Sequence, residues 1–214
     1  MRKYLYGFTA FVLAFAILSV SVLRSCSVTS AYGYTAPTPI AKTVSALTPT
    51  PTPTIDYVLP YPGGILPDSF LWYLKAARDK FQYIITTESM KKADLALLYS
   101  DKRLGASLTL FQNKKPDVAA STLTKGEKYL EEAANEEVAA RKAGINTNDF
   151  LIKLANASLK HRQIIEEQIM PLAPENIKPE IVKAEDYSKN IYKSSVSILG
   201  SKGIAAPKDP FNGQ

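Results

Sequence analysis

The chain has 214 residues, with 26 Lys+Arg, 20 Asp+Glu, 14 Pro, one Cys and one His, and a formal net charge of +6. One cysteine excludes an internal disulfide framework and a thiolate zinc site, and one histidine excludes a histidine-rich metal centre, so no cofactor is expected. The charge is not a nucleic-acid footprint, because residues 66–200 hold 20 bases and 18 acids with the signs mixed, which leaves no concentrated basic face for phosphates.

Residues 1–31 read as a signal anchor or signal peptide. Arg2 and Lys3 precede 20 uncharged residues, Tyr4–Leu23, which Arg24 ends. At about 1.5 Å per residue that stretch spans a bilayer core as a helix. The basic start favours a cytoplasmic amino terminus with the rest of the chain exported. Three processing outcomes stay open. The helix is retained as an anchor through residues 4–23, the chain is secreted after cleavage near Ala31, or Cys26 is acylated after a loose lipobox, Leu23-Arg24-Ser25. In each case the body lies outside the cytoplasm.

Residues 32–56 form a linker. Thr48 to Thr54 alternate strictly with Pro49, Pro51 and Pro53. Proline fixes φ and removes donors, so an extended, polyproline-II-like stalk is expected, with its threonines open to glycosylation.

Residues 57–200 predict an all-α fold, an antiparallel bundle of about five helices, followed by a disordered tail over 201–214. Pro60, Pro62, Gly63, Gly64 and Pro67 keep the chain irregular until Asp68 or Ser69 caps the first helix. Apolar residues then recur at intervals of three and four. The first stripe is Phe70, Leu74, Ala77, Phe81 and Ile84. The second includes Ala93, Leu97, Leu104, Leu108 and Phe111, and the third Ala119, Leu123, Leu130, Ala133 and Ala140. The fourth is Phe150, Leu154, Ala157, His161 and Ile164, and the fifth Ile181, Ala184, Ser188, Ile191 and Ile198. Each is expected to face a shared core. Thr86-Thr87, Asn113–Pro116, Gly144–Asn146, Met170–Pro174 and Gly200 mark the breaks. Pro179 either kinks the fifth helix or marks its start. Alanine-rich third and fourth stripes favour close helix approach.

No phosphate loop, nucleophile elbow, zincin or haem-attachment motif is present. His161 is the one imidazole available to a general base, and its position on an apolar stripe reads better as packing. A di-iron bundle needs paired Glu-x-x-His motifs, and Ser158 stands where the first Glu would be. Glu131-Glu132, Glu136-Glu137 and Glu166-Glu167 read as solvated faces with basic neighbours at helical spacing. Tyr57, Tyr61, Phe70, Trp72 and Tyr73 gather around the start of the first helix. Of these, Tyr61, Phe70, Trp72 and Tyr73 are the candidate ligand-binding residues, against the plainer reading that the segment folds back over one end of the bundle.

A further set of residues stands out, Leu59-Pro60-Tyr61-Pro62-Gly63, Leu66-Pro67-Asp68-Ser69, Tyr73-Leu74-Lys75, Arg78-Asp79, Lys91-Lys92-Ala93, Lys102-Arg103-Leu104 and Thr124–Leu130. Through them residues 57 to about 133 resemble an uncharacterised bacterial family, domain of unknown function 5667. Gly64 looks like an insertion, and Phe70 stands where members often carry Pro. The resemblance implies an exported, membrane-anchored helical protein and carries no catalytic residues. The expected function is therefore a non-enzymatic envelope interaction or structural module, tethered through residues 4–23, whose partner is the membrane and another cell-envelope protein or polymer rather than nucleic acid. The alternatives are a sensory or ligand-binding domain with its site near Trp72, and an enzyme using His161.

Overall fold

A computed structural model describes residues 55–211. The anchor, the cleavage and acylation sites and the linker up to Thr54 lie outside the described residues. Five helices follow in order: α1 (Trp72–Ile85), α2 (Ser89–Gln112), α3 (Pro116–Lys142), α4 (Asn148–Ile164) and α5 (Lys178–Ser201). There is no strand among the described residues.

Local chemistry sets most of the boundaries. Pro116 occupies the first turn of α3, where its missing donor costs nothing, and Asp117 beside it complements the positive end of the helix. Arg141 and Lys142 sit in the last turn, and Gly144 follows at φ 82 in the left-handed region. Pro179 marks the start of α5 rather than a kink. α4 ends differently. It runs into one π turn, Ile165–Ile169, and one 3-10 turn, Met170–Leu172, before Pro174 stops it. Two expected boundaries move. α1 begins at Trp72, because Asp68 reaches Lys115 (2.5 Å) and Ser69 Oγ accepts from Leu71 N (3.3 Å) in a turn. α5 runs past Gly200, and the left-handed glycine is Gly203 at φ 68.

α2 and α3 pack antiparallel along their length. Tyr99 meets Tyr129 edge to face, Ser107 Oγ donates to Ala119 O (2.8 Å), and Gly126 lies between them. A Cβ on Gly126 would come within 3.1 Å of Arg103 Cβ, so this crossing depends on a missing side chain. α4 and α5 also run antiparallel. Arg162 reaches Glu185 near one end, and Lys202, just after α5, reaches Asn148 at the other. The core divides into two clusters. One gathers Leu104, Leu110, Leu123, Ile165, Ile169 and Ile181. The other gathers Leu97, Leu130, Phe150, Leu154 and Ile191.

The segment before α1 lies along α2. Leu59 and Leu66 pack on the first cluster, and Pro62 sits over Gly105, where a Cβ would be 3.3 Å from its ring. After α5 the chain returns, where a disordered tail was expected. Tyr192 donates to Pro207 O (2.7 Å), and Arg162 Nη1 lies 3.4 Å from Asp209.

α1 requires a correction. Its apolar stripe does not face the core. Asp79 is the buried residue of this helix, while Tyr73, Leu74, Phe81, Ile84 and Ile85 are exposed. The polar side docks instead. Lys75 Nζ donates to Pro62 O (3.1 Å) and Ile65 O (3.2 Å). Tyr99 donates to Asp79 O (3.1 Å), and Tyr83 donates to Glu132 (2.8 Å). α1 is held by hydrogen bonds and aromatic contacts, and its hydrophobic side is left in water.

Candidate functional site

Three places in the molecule gather chemistry-bearing side chains. The first is a polar layer between the two apolar clusters. Asp101 sits between Leu97 and Leu104 on α2, Glu127 between Leu123 and Leu130 on α3, and His161 between Ala157 and Ile164 on α4. All three are buried. His161 Nδ1 lies 2.8 Å from Glu127 Oε1 and Nε2 lies 2.9 Å from Asp101 Oδ1. Tyr57, from the segment before α1, donates its hydroxyl to Asp101 Oδ2 (2.7 Å). Burial alone would depress the imidazole, but Glu127 and Asp101 outweigh it and raise its pKa to about 10. The ring is therefore a cation at neutral pH, donating from both nitrogens. Burial and the Asp101 carboxylate hold the Tyr57 phenol far above its ordinary range, so it stays a donor. Glu127 Oε2 has no hydrogen-bond partner among the described residues.

His161 is fully buried, in a charged sandwich rather than on a purely apolar stripe. A cation with both nitrogens occupied is poorly suited to accept a proton. Among the described residues, no three His, Cys, Asp or Glu side chains are arranged to hold a metal ion. Glu127 and Asp101 were missed by the sequence reading, although the seven-residue gaps in its stripes, Leu97 to Leu104 and Leu123 to Leu130, fall at their positions. Glu137, expected on a solvated face, is buried, accepts from Thr147 Oγ1 (2.5 Å) and is approached by Arg141 (3.1 Å).

The second place is the aromatic end. Tyr61, Phe70 and Tyr73 are 71%, 88% and 76% exposed. Trp72 alone of the four turns inward, with Lys75 Nζ 4.9 Å and Arg103 Cζ 5.3 Å from its ring centroid. Arg103 also stacks on Tyr129 at 4.9 Å. The space beside Trp72 measures about 10 Å³, enough for about one water. The structure does not bring the four residues into one cavity.

The third is a cleft of about 250 Å³ between α4, α5 and the returning tail, lined by Ser158, Arg162, Ser188, Lys189, Tyr192 and Asp209, among others. Arg162 is its hub. It lies 2.8 Å from Glu166, 3.7 Å from Glu185 and 3.4 Å from Asp209, with the Phe211 ring 4.3 Å away. Burial and the neighbouring Glu166 carboxyl raise Glu185 to about 7 despite Lys189 at 2.6 Å. Glu166 resists its partial burial and is held low by hydrogen bonding from Glu185 and by Arg162. The cleft wall itself carries Arg162, Lys189 and Lys193 against Asp209, and Arg162 and Lys189 are already paired with acids.

A family model described as "Domain of unknown function (DUF5667)" matches residues 64–175, just over half of the 214 residues. The match covers α1 to α4 and the turns after α4; it runs on past residue 133, where the resemblance ended, and begins after the Leu59–Gly63 motif. No curated protein and no solved structure matches the chain.

Proposed function

Taking as premise that the chain belongs to the DUF5667 family, we propose that it is a membrane-tethered, extracytoplasmic interaction module without catalytic activity. One observation carries the reading, which is that α1 is docked with its apolar side outward. Exposed apolar patches beyond a few hundred Å² mark interaction surfaces. The tether rests on the sequence, in Tyr4–Leu23 behind Arg2 and Lys3. Among the described residues no helix is long and apolar enough to cross a membrane, so residues 4–23 are the segment proposed to do it. The absence of catalysis is supported by the occupied, cationic His161. A ligand site at Trp72 is the weaker reading, because its cavity holds about one water.

Topology tests the proposal. In a Cys26→Ser background, Lys128→Cys places one thiol on the exposed side of α3. A membrane-impermeant maleimide should label it in intact cells. Labelling only after lysis would overturn the extracytoplasmic placement.

A further inference from the structure

The outward side of α1 has a composition that specifies what it meets. The exposed residues Tyr73, Leu74, Ala77, Phe81, Ile84 and Ile85 form one continuous strip, and Phe70 and Leu71 extend it into the preceding turn. Phe70, Tyr73 and Phe81 are 88%, 76% and 51% exposed. At roughly 150–250 Å² per aromatic side chain, these three alone leave on the order of 400 Å² in water. Arg78 and Lys80 border the strip on its two sides, and the one acidic residue of the helix, Asp79, points inward. Asp79 holds Arg78 at 2.7 Å, while Lys80 is exposed and has no ion-pair partner among the described residues.

We propose that this face of α1 lies in the headgroup region of an anionic bilayer, with its apolar strip at the acyl boundary. Aromatic and aliphatic side chains on one arc with basic residues at its edges describe a helix that rests in the membrane plane. A second copy of the chain fits less well, because two-fold pairing of the strip sets Lys80 and Arg78 against their own copies with no acid on the outer arc to answer them. The length of α1, 14 residues, suits lying on a bilayer and not crossing it. The inference rests on the tether proposed above for its proximity. Only the 48 residues Arg24–Leu71 separate the apolar stretch from α1. A tethered helix needs little intrinsic affinity, since its binding is intramolecular.

The test uses the full chain reconstituted in vesicles of phosphatidylcholine with or without phosphatidylglycerol. Trp72→Phe with Phe81→Trp moves the sole indole to the outer strip, and Trp72→Phe with Tyr73→Trp is a second version should the first fold poorly by circular dichroism. Lipids brominated along the acyl chain should quench the introduced indole at least twofold, more strongly with phosphatidylglycerol, and Lys80→Glu with Ile84→Glu in the Phe81→Trp version should abolish the quenching. If the protein sediments with vesicles and the indole is unquenched, the bilayer assignment is overturned while the tether stands. If it does not sediment, both fall. An unquenched indole together with disulfide-linked dimers of Ile84→Cys in a Cys26→Ser background would assign the face to a second copy and overturn the proposal.

Discussion

Removing the charge of His161 should abolish the fall in the fold's stability on the alkaline side of neutrality. The imidazolium has a folded-state pKa of about 10 against an ordinary value of 6.5. A cationic group whose pKa rises on folding stabilises the protein fully below its unfolded pKa and loses that contribution as pH climbs through the folded one. Wild-type stability should therefore fall between pH 6.5 and 9.5 by up to about 1.4 kcal/mol per pH unit, about 4 kcal/mol in all. Glu185, raised to about 7, works in the same direction at lower pH, its contribution fading between the ordinary glutamate range and about 7, so the alkaline half of the window belongs to His161. His161→Leu leaves Asp101 and Glu127 facing each other in the core without a counter-charge, and breaking a buried pair in this way costs roughly 3–5 kcal/mol at neutral pH. Urea denaturation followed by circular dichroism at pH 6.5, 8 and 9.5 measures both effects. The variant should be less stable at pH 6.5 and should lack the wild-type fall between pH 8 and 9.5. A triple variant, Asp101→Leu, Glu127→Met and His161→Leu, should recover most of the loss, because an apolar layer needs no counter-charge. Wild-type stability that is flat or rising over this range, or a His161→Leu variant with an unchanged slope, would refute the reasoning.

Gly126→Val should lower stability by about 1–3 kcal/mol, through overpacking against Arg103 and the α2 backbone, read as a fall in Tm. Thr147→Val strips the buried Glu137 carboxylate of a hydrogen bond and should cost about 1–3 kcal/mol in the same assay. Arg162→Ala removes the contacts to Asp209 and Phe211, so trypsin should cut at Lys208 several-fold faster, by mass spectrometry, with helix content unchanged.

The punctuation of the fold was legible because it is local chemistry. Pro116 at the head of α3, Gly144 at φ 82 and Pro179 at the start of α5 each act through their own backbone. Which side of α1 faces in was not legible. Periodicity says that the helix has two sides, and assigning the apolar one to the core assumes there is room for it. Here Tyr99, Tyr83, Lys75 and Trp72 give the polar side enough partners to claim the bundle. The polar layer failed for another reason. Asp101, Glu127 and His161 are 26 and 34 residues apart along the chain, and a carboxylate at a core-facing position looks like any other surface acid until its partner arrives from another helix. Of the four candidate ligand residues, Trp72 alone is drawn inward, and composition could not separate it from its exposed neighbours.

The polar layer also acts as a vernier on helix alignment. Alanine-rich stripes such as Ala93, Ala96, Ala133 and Ala157 are nearly interchangeable from one turn to the next, and by themselves they hold α3 only weakly in register along α2. A slide of one turn, about 5.4 Å, would carry Glu127 away from His161 to the height of a leucine on α2. It would bury a carboxylate without its cation, at a cost of several kcal/mol. Beside the close crossing at Gly126, three charged side chains mark the one setting at which α2, α3 and α4 agree.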